Sequence, residues 1–297
     1  MQIINEINES MSAYSFFKDL KDWKAEYMRL IKQLHPDVCK EAGAGNAVNK
    51  LNDYKTQMEN GYKVFDGISD ITFGLDNKVT YNCDTKNPIN LSLYKNDRQQ
   101  RHIYKSNSTG NLSQYIPENE LQTILNSTTL YQTNDFCLPL EYFMKDKLSE
   151  DHVNWIYSRI MEFITAYHFM GYCYLNINPM NIWIRPKNHG VYITGFYYSV
   201  KANTQVRAYN LAIKNSYPSI MFRTKTAEKF YDIEMAKNLA CRLLGDPTGQ
   251  GSSLKGKIKD DLFKYYTSSE DDSIDSYLNF RNILAKNFEK KFVELKY

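Results

Sequence analysis

Apolar side chains recur at helical spacing through residues 14–60. Placed at 100° per residue, Trp23, Tyr27, Leu30, Ile31 and Leu34 fall within an arc of about 100°, the stripe expected of a helix with one buried face. Lys21, Lys24, Arg29 and Lys32 fall within roughly 140° on the opposite side. The helix must stop at His35, because Pro36 lacks an N–H and disfavours helical geometry in the residue before it. A second helix is expected from near Asn46, with Ala47, Leu51, Tyr54 and Met58 facing inward, and a short aromatic helix over Tyr14, Phe16, Phe17 and Leu20 precedes the pair.

The pattern changes after Asn60 and Gly61. Residues 67 to about 140 are rich in Asn, Thr, Tyr and Asp, and the runs Lys78 to Asn82 and Ile89 to Tyr94 alternate weakly, as small antiparallel strands do. Helical periodicity returns with Ser149 as N-cap and Glu150 and Asp151 in the first turn. Val153, Ile156, Tyr157, Ile160, Phe163, Ile164 and Tyr167 mark its buried face, and Gly171 ends it. Two short strands are expected at 181–184 and 191–194. Helices are expected near 225–244 and 273–295, the last with a stripe of Tyr277, Phe280, Leu284, Phe288, Phe292 and Leu295.

Composition narrows the possibilities. Hydrophobic residues make up 42% and charged residues 24% of 297, which suits two globular domains. A net charge of +3 is too near balance to point to nucleic acid or a membrane surface, so any electrostatic attraction must come from a local patch. Five cysteines are scattered without a C-x-x-C pair, which argues against a disulfide framework and a structural zinc site. The first residues have neither a basic nor an apolar leader region, and no apolar run approaches the ~20 residues of a membrane span. A cytoplasmic protein is the expectation.

His35, Pro36 and Asp37 follow a basic amphipathic helix and precede another helix, and in that setting the segment resembles the J-domain family. The resemblance implies a DnaK-type chaperone as partner. The basic helix, through Lys21, Lys24, Arg29 and Lys32, would dock on an acidic surface, and His35, Pro36 and Asp37 would trigger ATP hydrolysis in the partner. Clustered cations speed encounter with an acidic surface, and a proline-stiffened tip is ordered before binding. The Gly/Phe-rich segment that usually follows such a domain is missing, so a specialised module is expected after it.

Residues 167–182, between a long helix and two short strands, resemble the catalytic loop of protein kinases and related phosphotransferases. Tyr174, Leu175 and Asn176 stand at the family's His-Arg-Asp, Asn178 and Pro179 at its Lys-Pro, Asn181 at its metal-binding Asn, and Gly195, Phe196 and Tyr197 at its Asp-Phe-Gly. Tyr217 to Ser219 stand near the end of the activation segment, Asp232 at the buried Asp of the following helix, and His168 at a packing position. Lys95 is the candidate for the ATP-pairing lysine and Glu120 for its partner. Phosphoryl transfer needs one carboxylate to orient the nucleophile and another to hold magnesium. Here those positions are Asn176 and Gly195, and the glycines of 66–74 have the wrong spacing for a phosphate loop.

The expected fold class is α+β: an all-α J-domain helical hairpin over 1–64, then a degenerate two-lobed kinase-like domain over 67–297, with a small lobe to about 140 and a helical lobe from 141. The expected function is a co-chaperone that stimulates a DnaK-type ATPase, with a pseudokinase choosing an unknown client. No catalytic residue, metal or cofactor is expected. Two alternatives are an atypical ATP-dependent phosphotransferase and a decoy that binds the chaperone without stimulating it.

Overall fold

Trp23 to Leu34 form a helix that His35 closes with φ −55° and ψ 137°, the extended geometry that Pro36 imposes on its predecessor. In the computed structural model, which describes residues 2–295 except 11, 18, 21, 118, 124–127, 146, 270, 271, 290, 292 and 294, this helix is the third of four that open the chain. They are α1 (Gln2–Glu9), α2 (Ala13–Phe16), α3 (Trp23–Leu34) and α4 (Ala44–Asn60). Ile4, Ile7, Phe17, Trp23, Leu30, Leu34, Ala47, Leu51, Tyr54 and Met58 are buried, so the inward stripes read from the sequence are those observed. Tyr27 donates to Asn52 at 2.8 Å, which sets α3 against the middle of α4 in antiparallel fashion. Gly61 links α4 to the first strand at φ 72°, where a Cβ would meet the carbonyl of Phe73 at 2.5 Å.

A five-stranded antiparallel sheet follows: β1 (Tyr62–Phe65), β2 (Ser69–Phe73), β3 (Lys78–Cys83), β4 (Asn119–Thr123) and β5 (Thr128–Gln132), in the order β1-β2-β3-β5-β4. Between β3 and β4 runs α5 (Pro88–Asn107). The strand expected over Ile89 to Tyr94 is therefore the first turns of a 20-residue helix. Asn87 caps it by accepting from the N–H of Ile89 at 2.9 Å, and Pro88 sits at the first helical position, where its missing N–H costs nothing. Its buried residues are Asp97, Gln100, Arg101 and Tyr104, a mostly polar face that carries no hydrophobic period.

The remainder is mainly helical. β6 (Leu138–Pro139) pairs with the hairpin of β8 (Ile182–Arg185) and β9 (Gly190–Ile193), and β7 (Tyr172–Cys173) pairs with β10 (Val200–Lys201). α6 (Glu150–Phe169), capped by Ser149, is the central helix, and α7 (Ser219–Thr224), α8 (Phe230–Leu243), α9 (Asp260–Thr267) and α10 (Ser273–Asn287) complete the chain. Tyr157 of α6 packs edge-on against Phe280 of α10 at 4.7 Å. α10 stops at Asn287, short of the expected 295: Phe288 is extended, Leu295 is buried beyond the helix, and Phe292 lies outside the described residues. The fold class is α+β, and no helix among the described residues is long and apolar enough to cross a membrane.

Two aromatic groups join these parts. Trp183 of β8 is fully buried and meets Phe73, Tyr81 and Tyr131 at 5.3 to 5.6 Å, so one indole ties the sheet to the β8–β9 hairpin. Tyr142 hydrogen-bonds to Ser12 and packs on Tyr14 at 6.1 Å and on Tyr62 at 5.1 Å, holding the opening helices to the rest. Truncating that ring removes both packing and a buried hydrogen bond. Tyr142→Ala is expected to cost about 3 kcal/mol in urea denaturation, and Tyr142→Phe about 1 kcal/mol. With the Ala variant, helical ellipticity should be lost in two transitions, because the four opening helices lose their main bridge.

Candidate functional site

Two places hold the residues that the sequence singled out. The first is the corner between α3 and α4. Val38 and Cys39 both donate to the carbonyl of His35 at 2.8 Å, and Lys40 donates to that of Pro36 at 2.6 Å, so the turn closes on itself. The imidazole Nδ1 of His35 lies 3.3 Å from Asp37 Oδ2 and accepts from the Asp37 N–H at 3.3 Å. Tied through one nitrogen, the ring keeps Nε2 without a hydrogen bond among the described residues. The side chains of His35 and Asp37 are 52% and 85% exposed, while Leu34 just before them is buried. Lys24, Arg29 and Lys32 are exposed on α3. Arg29 lies 4.0 Å from Glu26 and donates to Gln33 at 3.1 Å. Lys21 lies outside the described residues. The corner is thus a solvent-facing tip of fixed shape beside exposed cations.

The second place is buried. Asp232 of α8 accepts from His168 Nε2 at 2.9 Å, from the Tyr174 N–H at 2.7 Å and from the Leu175 N–H at 2.7 Å. This holds Leu175 at φ 55°, an unfavourable conformation for a bulky L-residue, and so sets the path of the loop that carries Asn176, Asn178 and Asn181. Cys173 joins His168 and Asp232 within 4.8 Å. Burial raises its thiol pKa far above the ordinary range, and the carboxylate takes three donors, which fasten the loop to α8.

Asn176, Asn178 and Asn181 are all fully buried. Asn176 donates to the carbonyl of Gly195 at 2.7 Å and accepts from Asn210 at 3.2 Å. Asn178 donates to the carbonyl of Asp66 at 3.3 Å, and Asn210 donates to the same oxygen at 2.8 Å. Asn181 accepts from the Tyr81 hydroxyl at 3.1 Å, and its Nδ2 makes no hydrogen bond of normal length among the described residues. A Cβ on Gly195 would lie 2.5 Å from the Asn181 amide, so no larger residue fits there as the site stands. Lys95 is not part of this cluster: it is exposed on α5, because the segment expected to be a strand is a helix. The side chain of Glu120 lies outside the described residues.

Several members of the cluster were not foreseen. Asp66, in the turn between β1 and β2, turns inward and accepts from the N–H groups of Ile68 at 2.9 Å and Ser69 at 2.7 Å. Its Oδ2 is buried and makes no hydrogen bond of normal length among the described residues, though the Asn181 side chain favours the carboxylate. From α5, Asp97 accepts from the Phe196 N–H at 2.6 Å and from Arg101 at 2.9 Å, and Asn96 donates to the carbonyl of Tyr197 at 2.8 Å. The Asp97–Arg101 spacing of four was the available signal, since an oppositely charged i, i+4 pair marks a helix. Tyr81 had none: on β3 it reads as a core aromatic, yet its hydroxyl also meets Thr194 at 2.6 Å.

Burial raises the Asp66 carboxyl from 3.8 to about 6, and the two backbone donors oppose the shift without cancelling it. The folded state therefore prefers the protonated acid. Its contribution to stability is complete below about pH 4 and is lost as the pH rises through about 6. Asp66→Asn, which stays neutral, is expected to abolish this decline, so the stability difference between the variant and the unaltered protein should move by about 3 kcal/mol in favour of the variant from pH 4 to pH 7. Urea denaturation of both proteins across that range measures it.

No protein-family model matches the chain and no curated protein is significantly similar to it in sequence, so any functional reading rests on the geometry of the corner and of the buried cluster.

Proposed function

We propose that this protein is a J-domain co-chaperone, which recruits a DnaK-type chaperone and stimulates its ATPase, and that its kinase-like remainder is a non-catalytic module choosing a client or a place of action. The observation that carries the first part is the exposed corner: an imidazole and a carboxylate, locked by a proline turn and flanked by Lys24, Arg29 and Lys32, stand free of the rest of the chain. Such a tip needs little ordering on binding, and its cations steer an acidic partner toward it.

Support for a non-catalytic remainder comes from what fills the buried cluster. A magnesium–nucleotide group needs hard carboxylate oxygens and room for phosphates. The residues present do not fit it. The positions where carboxylates would stand are Asn176 and Gly195, an amide already engaged at both ends and a glycine whose Cβ space is occupied. The turn that would cover phosphates instead turns Asp66 into the cluster, where burial raises its carboxyl to about 6. The sheet order and the helix between β3 and β4 are compatible with the small lobe of a kinase-like fold. Nothing in the cluster favours phosphoryl transfer, and no observation favours a decoy.

The test is the steady-state ATP turnover of a DnaK-type chaperone with the full chain added. The unaltered protein is expected to raise turnover several-fold, and His35→Gln to return it close to the basal rate while leaving thermal stability unchanged, because His35 is exposed. Salt should weaken the stimulation, as expected when exposed cations guide the encounter. Equal stimulation by both proteins, or none by either, would defeat the co-chaperone reading.

A further inference from the structure

The charge of the chain is unevenly placed. Residues 201–229 carry Lys201, Arg207, Lys214, Arg223, Lys225 and Lys229 against a single carboxylate, Glu228. This segment has five positive charges in excess while the whole chain has three, so the remainder is net acidic. Lys201, Arg207, Lys214, Arg223 and Lys225 are exposed, and none forms an ion pair among the described residues. A field of unpaired cations within one short segment repels itself, and an ordinary solvated surface mixes both signs.

The segment is a built unit. The N–H groups of Asn203 and Val206 donate to the carbonyls of Ala227 and Lys225 at 2.8 Å, and Ala227 donates back to Thr204 at 2.8 Å. This closes the segment into a loop and sets Arg207 beside Lys225. Within it, Tyr209 packs edge-on against Phe222 at 4.9 Å and against Tyr217 at 6.1 Å, and the ammonium of Lys214 lies over the Phe222 ring at 5.9 Å. Tyr217 anchors the loop below by donating to the carbonyl of Leu175 at 2.9 Å. Apolar side chains stand among the cations: Leu211 is 73% exposed, and Tyr209 and Ile220 are each 37% exposed.

We infer that the 201–229 surface docks an acidic polypeptide segment bearing bulky aliphatic side chains. The unpaired cations call for carboxylates, and Leu211 and Ile220 call for aliphatic groups that bury them. A nucleic-acid backbone would satisfy the cations and leave the two aliphatic side chains wet, whereas acidic residues interleaved with leucines satisfy both. The binding is read without any chaperone, so it stands or falls separately from the ATPase assay.

Fluorescence anisotropy of a labelled synthetic peptide, with leucines spaced three and four apart among glutamates, tests this on the full chain. The peptide is expected to bind, more weakly as salt rises, and to lose affinity when its glutamates become lysines or its leucines become serines. On the protein, Arg207→Glu combined with Arg223→Glu is expected to weaken binding about ten-fold or more, and Leu211→Ser several-fold. These side chains are exposed, so thermal melting should be unchanged. If a variant melts early, the salt series and the two altered peptides on the unaltered chain decide the matter. Unchanged affinity in a stable double variant, absence of binding at low salt, or tighter binding of a single-stranded oligonucleotide of equal charge would each overturn the assignment.

Discussion

The carboxylate of Asp232 is the constraint around which the larger part of the molecule is arranged. Three donors converge on it from two directions, the ring of His168 at the end of α6 and two consecutive N–H groups of the loop after β7. Buried polar groups persist only where they are hydrogen-bonded, and here the acceptor and its donors satisfy one another. The cost of placing Leu175 in a left-handed conformation is thereby met locally. That one residue reverses the chain, and the three asparagines after it turn into the interior instead of toward solvent. Tyr217 reaches the same loop from the other side through the carbonyl of Leu175, so the surface segment 201–229 is fastened to the same point.

Amides then do in the interior what carboxylates would do only with a counter-ion. Asn176 and Asn178 each donate and accept once, Asn210 donates twice and accepts once, and together they take up the ends of the β1–β2 turn and of the Gly195 turn. An asparagine can join such a network with no net charge, and four of them pack beside Asp66, whose carboxyl burial raises to about 6. These bonds tie the β1–β2 turn, the loop after β7 and the Gly195 turn to one another.

What the chain announced in advance follows from which elements bury apolar faces. α3, α4 and α6 have hydrophobic stripes at helical spacing, and His35, Gly61 and Gly171 mark their ends by φ and ψ preferences that are local properties. The β8–β9 hairpin is apolar on both faces and equally legible. α5 was not legible, because it turns Asp97, Gln100 and Arg101 inward and solves their burial by pairing Asp97 with Arg101 and with the Phe196 N–H and Gln100 with the Tyr167 hydroxyl, both far along the chain. A polar buried face breaks the period on which such a reading depends, and Lys95 was misplaced with it. Asp66 illustrates the complementary failure. Nothing in the sequence marks it as buried, because the groups that receive its carbonyl, Asn178 and Asn210, lie more than a hundred positions away.

The two exposed surfaces for which partners are proposed follow from this division of labour. Where the interior consumes polar side chains, as around Asp232 and Asp66, those residues are committed to holding the backbone and are withdrawn from any partner. At the Pro36 turn and in the loop closed by Thr204 and Ala227, side chains are left over at the surface, an imidazole and a carboxylate beside the basic face of α3 in the first and a surplus of cations in the second. Tyr142 and Tyr62 bind the opening helices to the segment before α6, Tyr62 through a 2.7 Å hydrogen bond to Glu141, so the corner is carried on a packed body instead of a loose arm. A partner that meets one of these surfaces therefore meets a protein whose other surface is already formed, and occupancy of the two can be coupled only through the partners themselves or through the same buried struts.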